Sequence, residues 1–185
     1  MEERIVNTQE QKPAALSYED HLPLAWQPLP ENDASQLHEH ENLGALFAAA
    51  ALEEHREVGG EEGPLQEEIR RLHQKMDLLV SMMCSLIRAQ TLLPEVVSLQ
   101  LSAQRVIWRH GANPPLPQQR VLVEIYLHRG LAQPLRLPAR VVSVADGVVD
   151  AVFEPLAETS LAALEQHVFL RHRRSIAGAR QAAQR

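Results

Sequence analysis

Apolar side chains recur every seven residues between positions 64 and 93, and this repeat constrains the fold more than any other feature of the sequence. An a/d repeat that holds over four heptads is typical of a coiled coil. The pattern predicts one helix of about 30 residues, roughly 45 Å long, which ends before Pro94. Its predicted interface residues, at positions a and d, are Leu65, Ile69, Leu72, Met76, Leu79, Met83, Leu86, Gln90 and Leu93.

The apolar surface of this helix widens towards its end. Positions e and g are polar in the first half but are then held by Val80, Met82, Ile87 and Ala89. Because a two-stranded coil leaves e and g half exposed, a wide apolar surface favours three or four helices, or a dimer that also touches a domain. We expect a homo-oligomer, a tetramer first and a dimer second. The alternative is a single long helix packed on its own domain.

Residues 95–185 predict a small antiparallel sheet followed by a helix. Apolar and polar residues alternate between turns rich in glycine and proline, and Asp146-Gly147 is a typical hairpin turn. No predicted helix interrupts the sheet, which favours a closed barrel and an α+β fold class. Residues 158–183 predict the terminal helix. The predicted strands are Val96–Ala103, Arg105–Trp108, Arg120–Leu127, Leu135–Val144 and Val148–Leu156.

Residues 1–63 predict an acidic leader with one helix, over about 33–57. The prolines of "LPLAWQPLP" argue against a helix or a central strand there. Residues 1–68 hold sixteen acidic and three basic residues, whereas residues 69–185 hold eight acidic and fifteen basic ones. This asymmetry predicts contact between the two parts, or an anionic partner for the second part. The chain therefore divides into a leader (1–63), an oligomerisation helix (64–93) and a barrel with a basic helix (95–185).

Several classes of function lack support in the residues. Cys84 is the one cysteine, which fits a reducing compartment. The N-terminus has no signal-peptide pattern and no apolar stretch is long enough for a bilayer, so we expect a cytoplasmic protein without a membrane partner. The sequence has neither a nucleophile elbow nor a glycine-rich phosphate loop, so we do not expect an enzyme. His38, His40 and Glu41 lack the spacing of a metal site, and we expect no metal.

Short strands that form a small barrel, a serine-centred first strand and a terminal helix resemble a PilZ domain, the bacterial receptor module for cyclic di-GMP. The resemblance covers about residues 95–175. The preceding heptad helix and the segment "ALEQHVFLRHRRSIAGAR" are similar to a narrower group, the atypical tetrameric PilZ proteins of plant-pathogenic gammaproteobacteria. The resemblance implies a role in cyclic di-GMP-linked signalling that controls motility, pili or virulence. It also implies that the nucleotide is the candidate ligand, with no other cofactor.

Typical PilZ domains bind the nucleotide through an RxxxR pair before the barrel and a (D/N)xSxxG motif on the strand. Ser102 aligns with the motif serine, but Gln100 replaces the acidic residue and Arg105 replaces the glycine. The segment 89–95 holds no arginine pair. The resemblance thus implies an oligomeric receptor or adaptor with a degenerate ligand motif, which acts with a signalling protein as partner.

Three arginines near the end of the chain, Arg171, Arg173 and Arg174, are candidates for binding an anion or a protein partner. On a helix Arg171 and Arg174 lie on one face, and Arg173 points away from them. The alternative is a solvated helix end that offsets the acidic leader. A second function remains open, an oligomeric DNA-binding or scaffold regulator that uses this basic helix. The sequence pI of about 5.8 counts against nucleic acid as the partner.

Overall fold

The computed structural model describes residues 16–31, 38–54, 64–90, 92–111, 113–128, 131 and 133–183. In this part of the chain the α+β fold class predicted from the sequence is confirmed. The strands are β1 (Ser17–Pro28), β2 (Val96–Ser102), β3 (Arg105–Arg109), β4 (Arg120–Ile125), β5 (Leu135–Ala145) and β6 (Val148–Phe153). The helices are α1 (Glu39–Glu54), α2 (Pro64–Gln90) and α3 (Glu158–Ala183).

The strands close into one antiparallel barrel in the order β1-β2-β3-β6-β5-β4. The five strands that the sequence predicts are present, with ends that differ by three residues or fewer. Asp146 and Gly147 have φ angles of 53° and 76°, the left-handed conformation that a tight hairpin turn between β5 and β6 requires. The alternating pattern of the sequence therefore identified these strands and the turn correctly.

The expectation that prolines exclude a central strand from the leader was wrong. β1 closes the barrel, because Leu22 pairs with Val97 of β2 while Leu24 pairs with Ile125 of β4. Pro23 lies where β1 changes its pairing partner from β2 to β4. Its missing N–H is therefore at the end of both strand pairs and not in the middle of either. Its carbonyl accepts a hydrogen bond of 3.0 Å from the amide of Tyr126. The division into three domains stays a prediction, but residues 17–28 pair with the barrel strands.

The core fills the barrel with aliphatic side chains that alternate along each strand. α3 covers the barrel beside β1 and β2 and contributes Leu164 and Val168 to the core. α1 packs against α3 and β5. The fully buried strand residues include Leu101, Val106, Val121, Val123, Ile125, Leu135, Leu137, Val141 and Val149.

α2 differs from the other helices because it packs against no other element of the described chain to a comparable extent. The side chains of Ile69, Leu72, Met76, Leu79, Met83 and Leu86 are between 40% and 63% exposed. The predicted helix end at residue 93 was wrong. The helix ends at Gln90, and Leu93 follows it as a half-buried residue outside the helix. The side chain of Leu65 lies outside the described residues. Among the helices described, none is both long and apolar enough to cross a bilayer.

Candidate functional site

Ser102 lies at the end of β2, where the chain turns into β3. Its side chain is buried, and Oγ accepts hydrogen bonds from the amides of Arg105 at 3.0 Å and Gln104 at 3.3 Å. The same hydroxyl donates to the carbonyl of Arg105 at 3.1 Å. Because the hydroxyl of Ser102, at the end of β2, binds backbone groups of Gln104 and Arg105, it joins the two ends of the β2–β3 connection.

Gln100 and Arg105, the other two positions of the strand motif, also bind groups of the same chain. The side-chain amide of Gln100 donates to the hydroxyl of Ser17 at 2.9 Å, which ties β2 to the start of β1. The guanidinium of Arg105 lies 3.5 Å from the carboxylate of Asp150 on β6. At all three motif positions the side chain therefore makes an internal contact.

The position of β1 changes where an RxxxR pair would be sought. Since β1 is the first strand of the barrel, the segment leading into it is residues 1–16 and not residues 89–95. Residues 1–16 hold a single arginine, Arg4, and so no RxxxR pair. Two other arginines with this spacing, Arg136 and Arg140 on β5, form ion pairs of 2.8 and 3.2 Å with Glu124 and Glu31.

The basic cluster of α3 divides as the helix geometry predicts. Arg171 forms an ion pair with Asp20 of β1, and its guanidinium carbon lies 5.3 Å from the centroid of the Tyr18 ring. Arg174 lines the same cavity as Arg171, at the junction of α3 and β1. Arg173 instead lies over the ring of Phe169, with 5.9 Å between guanidinium carbon and centroid. Arg171 and Arg174 therefore share a face that Arg173 does not.

A buried histidine lies behind this face. The Nε2 atom of His167 is 3.1 Å from the hydroxyl of Tyr18, and the two rings meet edge to face with centroids 5.8 Å apart. Burial, assisted by the positive charge of Arg174, lowers the pKa of His167 from 6.5 to about 4. His167 is consequently neutral at pH 7 and pairs with Tyr18 as an uncharged ring. Next along the helix, Nδ1 of His172 lies 2.6 Å from the carbonyl oxygen of Ser17.

The residues that contact the basic face of α3 could not be identified from the sequence. Tyr18 and Asp20 belong to β1, which the prolines obscured, and His167 has no motif around it. A periodic signal did exist, since His167, Arg171 and Arg174 follow one another at spacings of four and three residues. Among the described residues, no group of three His, Cys, Asp or Glu side chains could hold a metal ion.

Comparisons with known proteins agree with the barrel and its helices. The sequence profile of the family described as "Atypical PilZ domain, cyclic di-GMP receptor" matches residues 46–181. A solved structure from Xanthomonas campestris resembles this chain with a TM-score of 0.67 and 25% identity over 89% of this chain and 92% of that one. It is described as a pathogenic protein with a new tetrameric PilZ domain, self-assembled via an unusual helical bundle. A comparison with curated proteins gave no match.

The family profile covers well over half of the chain, and it spans α2, most of the barrel and nearly all of α3. The resemblance to a PilZ domain that the sequence suggested is thereby confirmed. The chain belongs to the atypical PilZ domain family, a family of cyclic di-GMP receptors.

Proposed function

We propose that this protein is a homotetrameric PilZ module that acts in cyclic di-GMP-linked control of motility, pili or virulence. It works as a non-enzymatic adaptor or atypical receptor and passes its state to a signalling protein. The observation that carries the proposal is the exposed a/d surface of α2, a helix that packs to a comparable extent on no other element within the described part of its protomer.

The tetramer follows from the size of this surface. Six large apolar side chains along one helix face are each at least 40% exposed in the protomer, and such a continuous patch marks an interaction site. Leu78 and Met82 at positions c and g are also more than half exposed, so the apolar surface is wider than a two-stranded seam. The self-assembled helical bundle of the Xanthomonas protein supports four helices over two.

The adaptor role follows from the state of the strand motif. The serine and the glutamine that would face the nucleotide already bind backbone and side-chain groups of the same barrel. A ligand at this strand would have to replace these internal hydrogen bonds, which makes binding there costly. Arg171 is likewise engaged with Asp20 and Tyr18, which reduces the charge that the basic helix could offer to DNA. We therefore do not propose the DNA-binding alternative.

Two measurements on the purified full chain test the proposal. Sedimentation equilibrium should give four times the protomer mass of 20.7 kDa. Isothermal titration with cyclic di-GMP should show either no heat of binding, as for an adaptor, or a saturable affinity that survives replacement of Ser102. A monomer at micromolar concentration would contradict the assembly. A binding reaction that is abolished together with the Ser102 hydroxyl would contradict the role given to the strand motif.

A further inference from the structure

A cavity of about 630 Å³ lies between β1, the end of α1 and α3, and none of the three strand-motif residues lines it. This volume is within the range of pockets that hold small ligands. Both arginines of the shared face point to it, and so do carboxylates from β1. Its lining residues are Tyr18, Glu19, Asp20, Leu52, His128, Arg171, Arg174 and Ser175.

Asp20 is held from two sides in this cavity. One carboxylate oxygen accepts a hydrogen bond of 2.7 Å from the amide of His21, and the other pairs with Arg171. Asp20 thus supplies an internal anion to a guanidinium that also lies against an aromatic ring. If that second oxygen left Arg171, the bond to His21 would still satisfy the carboxylate in part. An external anion can therefore replace the Asp20 carboxylate on Arg171, and Asp20 would keep its hydrogen bond to the amide of His21.

We propose that the cavity binds a phosphate-bearing ligand, which takes the place of the Asp20 carboxylate on Arg171 and bridges Arg171 and Arg174. Guanidinium groups bind phosphate oxygens in pairs of parallel hydrogen bonds, and two of them one helical turn apart suit one phosphate or two linked ones. The hydroxyl of Ser175, which also lines the cavity, donates to the carbonyl of His172 at 2.8 Å, so the two arginines supply the donors for the phosphate oxygens. The proposal deepens the proposed function, because it gives a phosphate ligand a site other than the degenerate strand.

The charges that line the cavity determine how a phosphate-bearing ligand would compete with the Asp20 carboxylate for Arg171. Glu19 and Asp20 balance Arg171 and Arg174, and His128 adds a group that can carry positive charge. An anion must therefore displace a carboxylate rather than fill an empty positive site, so the affinity of the wild-type chain is held down by Asp20. Removal of that one carboxylate should strengthen binding, and a loss at Arg174 but not at Arg173 distinguishes this site from a surface that attracts anions non-specifically.

The two sources of a phosphate group are a cyclic dinucleotide and a free mononucleotide or phosphate. Three probes separate them in isothermal titrations at constant ionic strength: cyclic di-GMP, GMP and sodium phosphate. The variants are Arg174→Gln, which leaves the Asp20–Arg171 pair in place, Arg171→Gln, and the isosteric Asp20→Asn. Arg173→Gln on the other face of α3 is the matched control. Circular dichroism confirms that each variant is folded before it is titrated.

We expect at least one probe to bind the wild-type chain or Asp20→Asn. Arg174→Gln and Arg171→Gln should weaken that binding at least about tenfold, the loss of one charge-assisted hydrogen bond. Asp20→Asn should strengthen it several-fold, and Arg173→Gln should leave it unchanged. The proposal is overturned if no probe binds either protein at millimolar concentration, or if Arg173→Gln weakens binding as much as Arg174→Gln.

The same titrations separate this proposal from the function proposed above. Binding of cyclic di-GMP that neither Arg171→Gln nor Arg174→Gln changes would overturn the cavity site and leave a receptor function standing. Binding of GMP or phosphate with the expected pattern of variants, without cyclic di-GMP, would support the cavity site and leave the chain an adaptor with respect to the dinucleotide. Sedimentation equilibrium tests the proposed tetramer separately from these titrations.

Discussion

The side-chain amide of Asn42 forms two hydrogen bonds with the backbone of Arg136. Its nitrogen donates to the carbonyl of Arg136 at 2.8 Å, and its oxygen accepts from the amide of the same residue at 2.7 Å. A buried asparagine on α1 thereby imitates a strand partner and attaches the helix to β5. The position of α1, which forms one wall of the cavity through Leu52, depends on this contact.

Replacement of Asn42 by alanine should destabilise the protein by about 2–4 kcal/mol, because it leaves a donor and an acceptor of Arg136 without partners. Denaturant unfolding at one fixed protein concentration measures the change, since the stability of an oligomer depends on concentration. His40→Ala, on the exposed side of the same helix, is the control and should change the stability by less than about 0.5 kcal/mol. Alanine has a higher helix propensity than asparagine or histidine, so a loss cannot come from propensity, and equal losses in both variants would contradict a specific role of this contact.

The double variant Leu79→Asp/Met83→Asp should be monomeric. Both residues are about 60% exposed in the protomer and would be desolvated in a bundle, where an unpaired charge costs several kcal/mol. Sedimentation equilibrium measures the mass. Gln74→Asp/Ser81→Asp adds the same two charges at position f, on the opposite side of α2, and should keep the wild-type mass. If the first variant also keeps it, α2 is not the assembly helix.

Ser102→Ala should lower the stability by about 1–3 kcal/mol without any effect on nucleotide affinity. The buried hydroxyl binds the backbone of the β2–β3 turn, so its loss leaves buried groups unsatisfied. Thermal unfolding and titration with cyclic di-GMP are the two measurements. Ser98→Ala, at an exposed position of the same strand, should change neither. A tenfold loss of affinity, about 1.4 kcal/mol, would show that Ser102 contacts the ligand after all.

The stability should fall as the pH is lowered from about 6.5 towards 4, and part of this loss should depend on His167. The unfolded chain protonates this residue near pH 6.5, whereas the folded chain does so only at about 4. Between these values the unfolded state binds the additional proton, so the full contribution is present above pH 6.5 and is lost on acidification. The difference corresponds to about 3 kcal/mol at pH 4.

The variant His167→Gln isolates this contribution, because its amide reaches about as far as Nε2 and does not titrate. The groups that face His167 are Tyr18 from β1 and Arg174 from α3, and α1 presents the apolar side chains of Leu46 and Ala50. Unfolding curves between pH 4.5 and 7.5 should show a shallower slope for the variant than for the wild-type chain. Equal slopes would mean that carboxylates or histidines other than His167 determine how the free energy of unfolding depends on pH.

The strands from Val96 onwards could be predicted because their partners are near in sequence and their residues alternate between turns. β1 could not, since the prolines that argue against a strand lie at a change of partner and at the strand end. Its two neighbours follow after α1 and α2, so no local pattern indicates the pairing. Because the prediction relied on the proline content of this segment, it placed residues 17–28 in the leader, whereas they form a barrel strand.

The candidate site was predicted in the same uneven way. Spacing along one helix was sufficient to place Arg171 and Arg174 together and Arg173 apart, because helix geometry is local. The partners of Arg171 come from β1, more than a hundred residues earlier in the chain, and charge asymmetry indicated only that acidic and basic parts would meet. The contact of Asp20 with Arg171 is one specific form of that general expectation.

The insertion of α1 and α2 between β1 and β2 also fixes an order of events during synthesis. The first strand leaves the ribosome well before β2 and β4, the two strands between which it lies. The barrel cannot close until β6 has been added up to Phe153, whereas α2 is complete at Gln90. If α2 is the assembly helix, as proposed, neighbouring nascent chains on one messenger RNA can join through it while every barrel is still open. With α2 as the proposed assembly helix, the topology allows assembly to begin before the barrel folds.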